Sequence, residues 1–76
     1  MPHVDIKCFV GRTDDQKKIC AEKIADVIAD TLVCDRSSVS VSINDIDKDD
    51  WKDKVWDKYI EPEMGHLYKK PGYSYD

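Results

Sequence analysis

Two residues near the start of the chain have side chains suited to chemistry: Pro2, directly behind Met1, and Arg12. Removal of a methionine ahead of a small residue would leave Pro2 as the chain terminus, with a secondary amine in place of an amide nitrogen. That amine is a candidate catalyst. Arg12 is one of two arginines, with Arg36, in a chain whose other ten basic residues are lysines. A guanidinium offers a fixed fork of donors that matches a carboxylate bidentately, which an ammonium does not, so Arg12 is a candidate substrate clamp. A proline in second position is also a common unpaired strand start. The pair therefore has to be weighed with the rest of the chain.

Other constellations are poorer. Asp45, Asp47 and Asp49 alternate like the opening of a calcium loop, but Asp50 stands where the loop needs glycine and Trp56 where it needs a bidentate glutamate. His3 and His66 have no partner at metal-ligand spacing. Cys8, Cys20 and Cys34 are an odd set without a C-x-x-C pair, which speaks against a disulfide framework and a zinc site and for reduced, buried thiols. There is no Gly-rich phosphate loop and no serine elbow. No metal is expected.

At 76 residues the chain reads as one domain, 1–76. A domain of that size buries only about 60% of the surface its unfolded chain exposes. Without disulfides or metal, association with further copies is the remaining stabilising device. Sixteen acidic against twelve basic residues give a net charge of -4, which disfavours nucleic acid as a partner. No run approaches the ~20 apolar residues of a membrane span, and the start has no signal-peptide pattern. The expectation is a cytoplasmic protein with no membrane partner.

The elements that must position Pro2 and Arg12 follow from periodicity. From Pro2 to Phe9, Val4, Ile6 and Cys8 alternate with His3, Asp5 and Lys7, the two-residue period of a half-buried strand. Gly11 breaks it. Thr13 and Gln16 form a capping box that starts a helix near Asp14. Along that helix Cys20, Ala21, Ile24, Ala25, Val27, Ile28 and Leu32 are expected to pack, with Lys18, Glu22, Asp26 and Asp30 opposite them. Val39, Val41 and Ile43 alternate with Ser38, Ser40 and Ser42 as a second strand. Two strands joined by a helix of this length form a parallel βαβ unit.

A short second helix is predicted over Asp50–Lys58, capped by Asp49, with Trp51, Val55 and Trp56 as apolar contacts. An irregular tail follows, with a turn at Lys70-Pro71-Gly72-Tyr73 whose glycine takes positive φ. Tyr59, Tyr68, Tyr73 and Tyr75 are read as core or edge packing, with a pocket or an interface as the alternative. The fold class is thus α/β, a βαβ subunit whose two-stranded sheet is completed by oligomerisation.

"PHVDIKCFVGRTDDQKK", the helix, "SSVSVSI", Trp51 and "KKPGYSYD" together resemble the 4-oxalocrotonate tautomerase family, and its small phenylpyruvate-tautomerase-like branch in particular. The resemblance runs essentially end to end. It implies a cofactor-independent isomerase of 2-oxo acids, such as phenylenolpyruvate or 2-hydroxymuconate-like compounds, in which the processed Pro2 is the general base. It further implies that Arg12 binds or polarises the substrate, that Trp51 shapes the pocket, and that the assembly is a homodimer, with a hexamer as the alternative. The archetype's second arginine, on the second strand, falls on Ser40 here, so its two-arginine clamp does not carry over. Arg36, four residues earlier, is the candidate substitute.

A base working at neutral pH needs a conjugate acid with a pKa near that pH. An α-amino group lies at about 7.7 to 8.0 and a secondary prolyl amine starts higher, so burial against Trp51 and the positive field of Arg12 must lower it. Pro2 opens the first strand and Arg12 lies beyond its end, more than ~20 Å away by strand rise, so a site using both is shared between copies. Two alternatives stand beside the tautomerase. One is a hydratase or dehalogenase that keeps the proline protonated; the other is a noncatalytic oligomeric binding module, should Met1 be retained.

Overall fold

The computed structural model describes residues 1–75, and Asp76, the last residue of the tail motif, lies outside them. Strand β1 is His3–Phe9, helix α1 is Asp14–Thr31, strand β2 is Ser40–Ile46 and helix α2 is Lys52–Ile60. Short 3₁₀ turns at Arg36–Ser38 and Lys48–Asp50 lead into β2 and α2. The strands pair in parallel, from His3 opposite Ser40 to Phe9 opposite Ile46. This is the expected βαβ unit.

The turn from β1 into α1 uses Gly11 at φ 122, a conformation that side chains rarely adopt. At the helix start both halves of the capping box are made. The Thr13 hydroxyl accepts from the Gln16 backbone N–H at 3.1 Å, and the Gln16 side chain accepts from the Thr13 N–H at 2.8 Å. Asp14 and Asp15 place negative charge on the first turn, where the helix dipole favours it. The other end closes as a Schellman motif, with the Cys34 N–H donating to the Ala29 carbonyl at 3.1 Å. Its left-handed residue is Val33 at φ 55, a strained choice where glycine is usual.

Residues paired in parallel register share a face, so Val4, Ile6 and Cys8 lie with Val41, Ile43 and Asp45 on the side covered by α1. Ala25 is the buried centre of that contact, and the Lys17 ammonium meets Asp45 at 2.9 Å across it. The Asp45 carboxylate holds the Lys17 pKa above its ordinary value. The opposite face is a polar ladder. His3 Nδ1 is 2.6 Å from the Ser40 hydroxyl, while Asp5 accepts from Lys7 at 2.8 Å, Asn44 at 3.0 Å and Ser42 at 3.2 Å. The Lys7 ammonium, helped by the Ser42 and Asn44 donors, holds the Asp5 carboxyl below the usual carboxylate range.

The helix face is narrower than the period predicts. Cys20, Val27 and Leu32, expected to pack, are exposed on the single chain, as is Ile19. The second helix also differs from its prediction: Asp49 is inside the 3₁₀ turn instead of capping, and Lys52–Ile60 winds more widely, ending with the Glu61 N–H on the Trp56 carbonyl, five residues back. Val55 and Trp56 on α2 are, with Ala25, the buried apolar residues among those described. Three buried side chains make a small core. Gly72 does not take the positive φ expected of it, since Gly11 is the glycine in that region. The tail is instead held by its side chains.

Candidate active site

A pocket at the C-terminal end of β1 holds about 410 Å³ and is lined by Phe9, Arg12, Trp51, Tyr73 and Tyr75. Phe9 is the last residue of β1, and Arg12 follows the Gly11 turn. Trp51 sits at the entry to α2, in the position where the preceding 3₁₀ turn hands over to the wider helix. Its indole meets the Phe9 ring edge-on, centroids 5.1 Å apart, a favoured geometry for two quadrupoles. This contact ties the end of the first strand to the start of the second helix.

The tail completes the wall. Trp56, 5% exposed, has the Tyr73 ring at 5.3 Å and the Tyr75 ring at 5.1 Å, so α2 supplies the seat on which both tyrosines rest. Tyr73 and Tyr75, two residues apart in the irregular tail, thus meet the same indole. The Trp51 Nε1–H donates to the Tyr73 hydroxyl at 2.9 Å. Phe9, Trp51, Tyr73, Trp56 and Tyr75 thereby form one connected chain of rings. Tyr68, by contrast, is fully exposed and packs neither in the core nor at an edge of the described chain.

Within this aromatic cup Arg12 is the charged residue. One guanidinium nitrogen donates to the Phe9 carbonyl at 3.1 Å, which fixes the fork at the strand end, and Arg12 makes no ion pair among the described residues. Arg36 is differently placed. Its Nε donates to Asp26 at 2.6 Å and its NH2 group meets the Glu22 carboxylate, both on α1, and these two carboxylates hold its pKa above the ordinary arginine value. It borders a second, smaller cavity of about 160 Å³ with Ala21, Glu22, Ala25, Val39 and Val41. A guanidinium already neutralised by two carboxylates is a poor anion clamp, so Arg36 is a helix staple.

Pro2 is half-buried at the opposite end of the sheet, where its carbonyl accepts the Ser40 N–H at 3.2 Å. Among the sequence-derived site residues, the chain brings Arg12 and Trp51 together and leaves Pro2 about 20 Å away, the rise of a seven-residue strand. Ser40, in the place of the archetype's second arginine, is engaged with His3 and Pro2. Sequence reasoning missed Phe9 as a pocket residue and ranked the pocket second to core or edge packing for Tyr73 and Tyr75, which the structure places in its wall. The two-residue spacing of the tyrosines was the available signal, and their contact with Trp51 and Trp56 was not readable from it.

Comparison with known proteins gives a consistent result. The family model described as Tautomerase enzyme matches residues 2–54. The chain is 51% identical over 75 residues to Tautomerase PptA of Enterobacter sp. (strain 638), covering 97% of this chain and 99% of that one. It is 48% identical, with the same coverage, to Tautomerase PptA of Klebsiella pneumoniae (strain 342). Among solved structures, the 4-oxalocrotonate tautomerase isozymes from Methylibium petroleiphilum are similar with a TM-score of 0.62 at 30% identity, over 66% of this chain and 81% of that one. YwhB, a homologue of 4-oxalocrotonate tautomerase, gives a TM-score of 0.61 at 33% identity, over 63% and 79%.

Proposed function

The chain belongs to the tautomerase family and is an isomerase of that kind, and from this premise we propose that it interconverts the enol and keto forms of 2-oxo acids with Pro2 as the base. The reading requires Met1 to be removed, because an amide-bonded proline nitrogen has no basic lone pair. The freed amine takes the proton from the 2-hydroxyl of the enol. Its O–H electrons become the C2=O π bond, the C2=C3 π pair moves to C3, and the same proton is delivered there from the prolinium. One base serves both transfers, and neither a metal nor a cofactor is called on.

Arg12 then has two uses in one place. It binds the substrate carboxylate, and its positive charge stabilises the enolate oxygen as negative charge develops. It also disfavours the protonated amine, which together with the apolar wall at Trp51 lowers the proline pKa toward neutrality. The observation that carries this reading is the pocket itself: one guanidinium without an ion-pair partner among the described residues, set among four aromatic rings. Such a cup suits a monoanion with an apolar or aryl body, for example phenylenolpyruvate. A dicarboxylate of the muconate type would need a second cation, and Arg36 is committed to Glu22 and Asp26.

Because Pro2 and Arg12 lie at opposite ends of β1, the working site takes Pro2 from one copy and Arg12 from another. A symmetric homodimer running the two sheets in opposite directions meets this need twice. It also meets a need of the fold, since the two-stranded sheet has open edges and Ile19, Val27, Leu32 and Val10 are exposed on the single chain. Intact mass of natively produced protein, with an enol-to-keto absorbance assay on phenylenolpyruvate, tests the base. Pro2→Ala should lower kcat about 10²- to 10⁴-fold while leaving the circular dichroism spectrum intact. Unchanged turnover in that variant removes the proline from the mechanism.

A further inference from the structure

The geometry points to Tyr73 as a substrate-binding residue, the second hydrogen-bond donor to the carboxylate that Arg12 holds, in place of the arginine absent at position 40. The inference rests on the functional reading above and goes beyond it. An indole N–H is a donor only, whereas a phenol carries one donor and acceptor lone pairs. The Trp51 Nε1–H is donated to the Tyr73 oxygen at 2.9 Å. The phenolic hydrogen cannot point back along that bond, so Tyr73 keeps its own O–H free to donate to another acceptor, and the residue lines the pocket with Trp51 and Arg12. Trp51 is therefore a positioning residue for the Tyr73 proton.

The rest of the wall holds Tyr73 where this matters. Its ring rests on the buried Trp56 at 5.3 Å and against Tyr75 at 6.2 Å, while the residue stays 46% exposed and lines the cup. A guanidinium and a phenol make a donor set with a single full positive charge. That set satisfies one carboxylate from two sides and leaves no cation for a second. A neutral donor in the second place also spares the nearby base an additional positive field, which would otherwise lower its pKa further.

The test separates charge recognition from packing. Binding of unreactive 3-phenylpropionate and of uncharged toluene to the intact assembly is followed by tryptophan fluorescence, beside kcat and KM for phenylenolpyruvate. Tyr73→Phe should weaken 3-phenylpropionate binding and raise KM by about 10-fold or more, the loss of a hydrogen bond to a charged group, with kcat and toluene binding nearly unchanged. Trp51→Phe keeps a ring but frees the phenol to rotate; it should weaken 3-phenylpropionate binding less than Tyr73→Phe, and the double variant should bind no worse than Tyr73→Phe alone. Wild-type affinity for 3-phenylpropionate in Tyr73→Phe overturns the inference while leaving the tautomerase reading in place. Equal losses for the acid and toluene overturn it in favour of simple packing. A wild-type protein that neither binds the acid nor isomerises the enol overturns both.

Discussion

If each site joins Pro2 of one copy to Arg12 of another, two inactive variants should make an active mixture. Pro2→Ala replaces the ring-fixed secondary amine with a mobile primary one and Arg12→Ala removes the clamp, and each alone is expected to lose about 10-fold to 10⁴-fold in kcat/KM, from impaired base catalysis in the first case and a lost charged hydrogen-bond donor in the second. When the two are unfolded together in equal amounts and refolded, each copy in an assembly is drawn at random. A site is intact only when its proline donor is the Arg12→Ala chain and its arginine donor is the Pro2→Ala chain. Each choice has even odds, so about a quarter of all sites recover both groups, in a dimer or in any closed assembly. The basis is the separation along β1: seven strand residues lie between the two groups, a distance of about 20 Å that no side chain closes. The assay is phenylenolpyruvate turnover at fixed total chain concentration, against refolded wild-type protein. Recovery near a quarter of wild-type activity supports the shared site. A mixture no more active than the mean of its two components would refute it, because a site built within one chain cannot be rescued by exchange.

Two further outcomes follow from the packing. Trp56→Ala removes the seat of both tail tyrosines and a nearly buried side chain, so chemical denaturation should report a loss of about 3–5 kcal/mol together with a loosened tail, read as loss of near-ultraviolet circular dichroism; a loss below about 1 kcal/mol would show that the ring cluster is not what holds the tail. Asp5→Asn should lower the thermal midpoint at neutral pH by removing the carboxylate that Lys7, Ser42 and Asn44 bond. Since the folded carboxyl titrates below its ordinary value near ~3.9, the stabilisation it brings is complete above that value and fades as pH falls through the lowered pKa. The difference between the two proteins should therefore vanish in strong acid, and a difference that persists there would assign the effect to something other than this charge.

How much was legible in the sequence depends on the range of the interaction. The capping box at Thr13 and Gln16 and the alternation of Val4, Ile6 and Cys8 are set by residues a few positions apart, and β1, the start of α1 and the parallel pairing all appear where local pattern puts them. Arg12 and Trp51 as pocket neighbours came from family resemblance, since residues so far apart in the chain leave no local mark of their contact. For Tyr73 the sequence leaves packing and pocket both open for the same reason: its bond to Trp51 and its seat on Trp56 are tertiary. The Pro-Gly pair at 71–72 makes a bend without the positive φ its composition suggests. The helix face was overestimated because Cys20, Val27 and Leu32 follow the apolar period but remain exposed on their own chain. Periodicity finds a face; it does not say in which molecule the partner lies.

Chain ends usually fray, and a reactive group on the first residue would then have to be gathered from many orientations at every turnover. Here the Ser40 N–H grips the Pro2 carbonyl, on the same residue as the proposed basic nitrogen, and the sheet begins at the next position. The freedom of the tip is thus given up once, when the strand docks, and the ring nitrogen inherits the stiffness of the sheet. Under the proposed function, trimming Met1 would uncover a group whose residue is already anchored to the sheet, so the chemistry of the terminus would change without asking the fold to rearrange.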